Sequence, residues 1–151
     1  MRAIVTSNSV MTREDVVDLF ARRRDAFNQR DTAALAALYT IDCKVESPLA
    51  AGVVQGRQAI TKIHERLFAA IPDLSLTDEQ ILVDGDQAVE TMTMAGTYTG
   101  GFMGLPPSGK PLSVPIVLLC RMEAGLIAHE RRIYDFTGML VQIGVLKTRP
   151  A

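Results

Sequence analysis

Up to Pro72 the apolar residues recur every three to four positions; beyond it they recur every second position. In the first part, Thr12-x-x-Asp15 reads as a capping pattern ahead of Val16, Leu19, Phe20, Arg23 and Phe27, which share one helical stripe. A helix from about Arg13 to Gln29 follows, with Arg23 snorkelling along the edge of the stripe. Asp31 caps a shorter alanine-rich helix, Thr32 to Tyr39. Cys43 to Ser47 alternates and stops at Pro48, as an edge strand does. Leu49 to Gly56 reads as a loop. A third helix runs from Arg57 to about Ile71, with Ile60, Ile63, His64, Leu67, Phe68 and Ile71 on one face, and Pro72 ends it.

The second part reads as an antiparallel meander. Its strands are Leu74 to Val83, Gln87 to Thr97, Leu112 to Met122 and Leu126 to Phe136. Asp84-Gly85-Asp86 and Glu123-Ala124-Gly125 make tight turns. Val117 and Leu119 lie opposite the main apolar face of the third of these strands, which predicts a strand covered on both sides. Thr137 caps a last helical turn, Gly138 to Ile143. The order predicts an α+β fold: three N-terminal helices packed on a curved, mostly antiparallel sheet, with a concave space between them.

The meander holds one unusual connection, Gly96 to Pro111, which carries Phe102, Met103 and Leu105 among glycines and prolines. It is too apolar for a linker, and it reads as the lip of a pocket. The chain of 151 residues suits one domain, expected over 12–151 behind a loose tail at 1–11. A net charge of −1 gives no electrostatic case for nucleic acid or an anionic membrane surface. No segment is apolar for long enough to span a bilayer, and the first residues lack a signal-peptide core. Cys43 and Cys120, far apart and in no paired motif, are expected as reduced thiols in a cytoplasmic protein, although a bridge between them stays open. His64 and His129 are the only histidines, so no metal site is indicated. The glycine loop opens no helix and carries no phosphate-binding Lys-Ser/Thr.

Several segments resemble the SnoaL-like polyketide cyclase family of the NTF2-like superfamily, whose domains are cone-shaped α+β barrels. They are Gly56-Arg57-Gln58-Ala59-Ile60, Ile71-Pro72-Asp73-Leu74, Asp84-Gly85-Asp86, Gly96-Thr97-Tyr98-Thr99-Gly100, Gly104-Leu105-Pro106-Pro107-Ser108-Gly109-Lys110, and Asp135 with Gly138-Met139-Leu140-x-Gln142-Ile143-Gly144. The resemblance implies a cofactor-free ring closure of a polyketide ester. A carboxylate removes a proton α to a carbonyl, and the enolate attacks a second carbonyl. Such a base needs a partly dry pocket, and the enolate oxygen needs donors. The same frame also hosts non-catalytic binders and epoxide hydrolases, the latter expecting an Asp-Arg-Asp set that this chain does not clearly supply. Two positions depart from the pattern: Tyr98 stands where many members have His, and Arg131-Arg132 stand where many have Trp-Asp.

The terminal Asp135 is therefore the expected acid/base. Alternation places it on one face with Ile127, His129, Arg131 and Ile133; if that face looks into the cone, Asp135 is inside, and otherwise it caps the last helix. His129 is a candidate proton shuttle or a surface strand histidine. Arg132 either polarises a substrate carbonyl or pairs with Glu130 at the surface. Tyr98 is an enolate donor or an aromatic beside the loop. Phe27, Tyr39, His64, Phe102 and Met103 are candidates for the wall of a pocket that takes a small hydrophobic carbonyl compound. Domains of this family pair through their sheets, which implies a homodimer.

Overall fold

The computed structural model describes residues 10–50 and 52–149. Most of the tail expected at 1–11 lies outside the described residues. Helix α1 (Arg13–Asn28) starts at a full capping box: the Thr12 hydroxyl accepts from the Asp15 N–H, and the Asp15 carboxylate accepts from the Thr12 N–H. Asp31 caps α2 (Thr32–Ala37), and α3 (Arg57–Ala70) ends just before Pro72. The strands are β1 (Tyr39–Glu46), β2 (Val53–Gln55), β3 (Ser75–Asp84), β4 (Gln87–Thr97), β5 (Pro111–Glu123) and β6 (Leu126–Ile133), and α4 (Phe136–Gln142) follows.

All six strands form one curved sheet in the order β2-β1-β6-β5-β4-β3. β3 to β6 are the antiparallel meander read from the sequence. Two features are not. β2 lies in the segment expected as a loop, and β1 runs parallel to β6, which extends the sheet beyond the meander. β1 also begins at Tyr39, a residue expected at the end of α2. Helix α1 packs on β3, α3 on β1 and β2, and α4 on β5. The helices and the concave face of the sheet enclose the core, which includes Leu19, Phe20, Leu35, Ile60, Leu74, Leu118 and Ile127.

On β5 the residues from Leu112 to Met122 alternate as expected, with the even-numbered ones buried. The opposite face is not covered by the described residues: Leu119 is 39% exposed. On β6 the alternation breaks. Arg121 pairs with His129 but Met122 pairs with Ile127, so Ala128 is an extra residue in the strand. Ile127 and Ala128 are both buried, and the parity reverses beyond them. That bulge decides which side chains enter the cone.

The glycine loop is held by its backbone. Tyr98 and Lys110 bond across its base, and the Gly100 N–H donates to the Ala70 carbonyl at 3.0 Å. A Cβ on Gly100 would lie 1.7 Å from the Ala69 carbonyl oxygen, so only glycine lets the loop seat against the end of α3.

Candidate functional site

Because of the bulge, Glu130 and Arg132 point into the cone, while His129, Arg131 and Ile133 point out. Glu130 is fully buried, and each of its carboxylate oxygens is engaged. Oε1 accepts from the Tyr39 hydroxyl at 2.7 Å and lies 3.1 Å from Arg23 Nη2. Oε2 accepts from Arg132 Nε at 2.7 Å. Arg23 Nε donates to the Tyr39 hydroxyl at 2.9 Å. Arg132 Nη2 donates to His64 Nε2 at 3.0 Å, which leaves the His64 proton on Nδ1. Helix α1 thus supplies Arg23, α3 His64, β1 Tyr39, and β6 Glu130 and Arg132.

The electrostatics follow from burial and from these contacts. Burial alone would raise the Glu130 carboxyl, but the charges of Arg23 and Arg132, with hydrogen bonds from Tyr39 and Arg132, hold it at about 2. Burial and the neighbouring guanidiniums push His64 well below its ordinary range, so the imidazole is neutral. Burial pushes the Tyr39 phenol up, so it stays protonated and donates.

A second interior carboxylate behaves differently. Glu90 on β4 has no exposed surface, and neither of its oxygens has a hydrogen-bond partner. Burial raises its carboxyl to about 7, against the attraction of Arg23. Arg23 Nη1 is likewise buried without a partner.

Next to this cluster is a cavity of about 20 Å³, lined by Arg23, Phe27, Met92, Leu118, Arg132 and Tyr134 among others. It has room for a water molecule and little more. Outside it, a groove of about 480 Å³ lies between α3 and the glycine loop, lined by Ile63, Arg66, Phe102 and Met103. Leu49 and Leu67 line both spaces, so one layer of side chains separates them.

The expected site residues therefore divide. Arg132, His64 and Tyr39 meet in the interior cluster, and Phe27 lines the cavity. Phe102 and Met103 line the outer groove. Tyr98 is buried, but its hydroxyl donates to the Leu105 carbonyl at 2.9 Å, so it pins the glycine loop instead of facing the cavity. His129 is on the outer face, with Nε2 2.9 Å from Glu46 Oε2. The expectation that Asp135 lies inside is overturned. Asp135 is exposed and caps α4, its Oδ1 accepting from the Gly138 N–H at 2.8 Å. The assumed alternation missed the bulge, and the last strand ends at Ile133, before Asp135. The same correction removes Arg132 from the surface, where a pair with Glu130 was the bland alternative.

Three interior residues were not singled out as site candidates: Arg23, Glu130 and Glu90. The signal for Arg23 was its place on an apolar helical stripe. For Glu90 it was parity, since Ala88, Glu90, Met92 and Met94 alternate along the buried face of β4. Among the described residues, no three His, Cys, Asp or Glu side chains gather as metal ligands. Cys43 and Cys120 are free and buried.

Comparison with known proteins agrees with this architecture. The family model of the SnoaL-like polyketide cyclases matches residues 17–143. No curated protein matches the chain. Among solved structures, TsrD from Streptomyces laurentii is 29% identical, with 90% of this chain and 99% of that one covered and a TM-score of 0.80. IdmH from Streptomyces antibioticus, a candidate polyketide cyclase, is 26% identical over 85% of this chain and 97% of that one, with a TM-score of 0.73. AclR from Streptomyces galilaeus, a candidate hydroxylase, shares the fold at a TM-score of 0.80 and 24% identity, over 92% of this chain and 91% of that one. With a glycine loop seated on α3, a six-stranded curved sheet and a family match over most of its length, the chain belongs to the SnoaL-like polyketide cyclase family.

Proposed function

We propose that this chain is a cofactor-free acid/base enzyme acting on a small hydrophobic carbonyl compound, with intramolecular aldol closure of a polyketide ester as its reaction. The observation that carries the reading is Arg132. It lines the cavity together with Arg23, Tyr134 and a majority of apolar side chains, and its guanidinium is fixed at Nε by Glu130 and at Nη2 by His64. A held cation in a dry space is suited to polarise a carbonyl and to stabilise the enolate oxygen that forms from it. Burying this cluster is costly, and an apolar core of equal volume would serve the fold as well. That favours a functional reason for it. Because the cavity holds little more than one water, binding a substrate there requires its lining to move aside, beginning with Leu49 and Leu67, which separate it from the groove.

The test is conversion of hydrophobic β-keto esters that carry a second carbonyl, followed as an isomer of unchanged mass. Arg132→Gln should lower turnover by roughly 10²–10³-fold, the usual loss for one such donor. A second reading, a non-catalytic binder or dimerisation module, is favoured by a cone filled with side chains and by an exposed Asp135 that caps α4. Saturable binding without turnover by the wild-type protein would establish it over the first.

We also propose that the protein pairs through its sheet. Val117 and Ile133 are cross-strand partners on the outer face, where Leu119 and Ile133 are 39% and 47% exposed. A monomer mass in light scattering after size exclusion would refute the pairing. Free thiols at Cys43 and Cys120 favour a reducing compartment, the cytoplasm in this proposal.

A further inference from the structure

The buried charges of the cone do not balance. Among the described residues, Arg23, His64, Glu90, Glu130 and Arg132 are the buried side chains that carry or can carry a charge. Arg23 and Arg132 are cations, and Glu130 is the ionised carboxylate that both of them contact. His64 is neutral, and Glu90 keeps its proton up to about 7. Below neutrality the interior is therefore left with one positive charge in excess. A buried charge is costly until a counter-charge reaches it.

Glu90 is poorly placed to be that counter-charge. Strand β4 holds it where neither oxygen meets a donor. The arginines keep spare capacity: Arg23 Nη1 has no partner, and Arg132 is bonded within the cluster through Nε and Nη2. Both arginines line the 20 Å³ cavity, whose other walls are Tyr134 and apolar side chains. Arg132 and Tyr134 also line an outer cleft of about 370 Å³, together with Glu46, Pro48 and Arg131. The cavity thus has a polar boundary at Arg132 as well as an apolar one at Leu49 and Leu67.

We propose that this cavity is an anion site, which takes the ionised oxygen of an apolar ligand, a carboxylate or an enolate, beside Arg132 and Arg23, with Glu90 taking up a proton as the anion binds. Unlike a side chain fixed on a strand, a ligand brings its oxygen to hydrogen-bond distance of the cations. Its charge then does what ionised Glu90 does in the empty protein, and the two anions repel each other through the dry interior.

The groups around Glu90 fit such an exchange. Arg23 of α1 favours its ionised form, and Glu130 of β6 opposes it. Arg24 of α1, which also favours ionisation, is already paired with Glu79 of β3. His64 of α3, Tyr39 of β1 and Cys120 of β5 are all uncharged near neutrality, so none of them competes for the proton.

The test is calorimetric titration of the protein with benzoate and with benzamide, its neutral counterpart of the same shape. It is run at pH 6 and pH 8 in buffers of different ionisation enthalpy, so that protons taken up are counted. At pH 6 benzoate should bind roughly tenfold or more tightly than benzamide, because hydrogen bonds to an ionised group are about twice as strong. At pH 8 its binding should be weaker by up to roughly tenfold and should take up a proton, since Glu90 must first give up its charge. Glu90→Gln should keep the preference for benzoate and lose both the uptake and the pH dependence, and Arg132→Gln should lose the preference. Acetylacetone, followed by its enolate absorbance, separates the two ligand classes: ionisation on binding extends the site to enolates, and binding of benzoate alone assigns it to carboxylates. The wild-type titrations need no variant. Equal affinity for benzoate and benzamide, or a preference that survives Arg132→Gln, overturns the anion site and leaves the proposed reaction standing. A preference for benzoate without proton uptake at pH 8 overturns the part given to Glu90. An intact anion site in a protein that converts no β-keto ester refutes the reaction instead.

Discussion

Replacing Glu90 with glutamine should change the pH dependence of stability in a way that no surface substitution would. In the folded chain the Glu90 carboxyl holds its proton up to about 7, against 4.5 ordinarily. Between those values the native state carries a proton that the unfolded chain has released. Stability therefore falls as pH rises from 4.5 to about 7, and the full penalty remains above. At 1.36 kcal/mol for each factor of ten in proton affinity, the penalty is about 3 kcal/mol. Glutamine has nearly the same shape and no charge to bury, so the variant should not show the decline. Urea unfolding followed by far-ultraviolet circular dichroism at pH 5, 6, 7 and 8, at fixed protein concentration, gives the comparison. The two proteins should be close near pH 5, and the variant should be more stable by about 3 kcal/mol at pH 8. Parallel curves across that range would show that Glu90 ionises normally, and the argument from its burial would be wrong.

Glu130 should behave in the opposite sense. Its carboxyl is held at about 2, so the stability it contributes is present above 4.5 and is lost as pH falls from there towards 2. Glu130→Gln leaves two buried guanidiniums, Arg23 and Arg132, without their anion and should cost about 3–5 kcal/mol. A thermal melt within a few degrees of wild type would refute the placement of Glu130 between them. Asp135→Asn should leave turnover and stability nearly unchanged, because asparagine caps a helix as well as aspartate does. Asp135→Ala should lower stability by about 1 kcal/mol without loss of turnover. Loss of activity in stable Asp135→Asn protein would return the acid/base role to Asp135.

The periodicity was enough for α1, α3 and the four-strand meander, because each of those elements shows its buried face as a regular spacing of apolar residues. It was not enough for β2, three residues long, nor for the parallel pairing of β1 with β6, which depends on contacts distant in sequence. Capping signals placed the starts of α1 and α2 on Thr12 and Asp31, since the interacting groups lie three residues apart. At the start of α4 the sequence offers two candidates two residues apart, Asp135 and Thr137, and Asp135 is the cap.

The site shows the division most clearly. The residue types were all in view, and the match to the family over most of the chain settled the fold they sit on. Which of them face each other was decided by one extra residue, Ala128, in β6. Side chains alternate strictly along a strand, so a single inserted residue exchanges inside for outside over everything that follows. It carried Glu130 and Arg132 into the cone and His129 to the surface, and no local pattern records where such a bulge falls. The cost of burying charge then did the rest: inside the cone Arg23, Tyr39, Glu130, Arg132 and His64 had to find one another, and Glu90 was left without a partner.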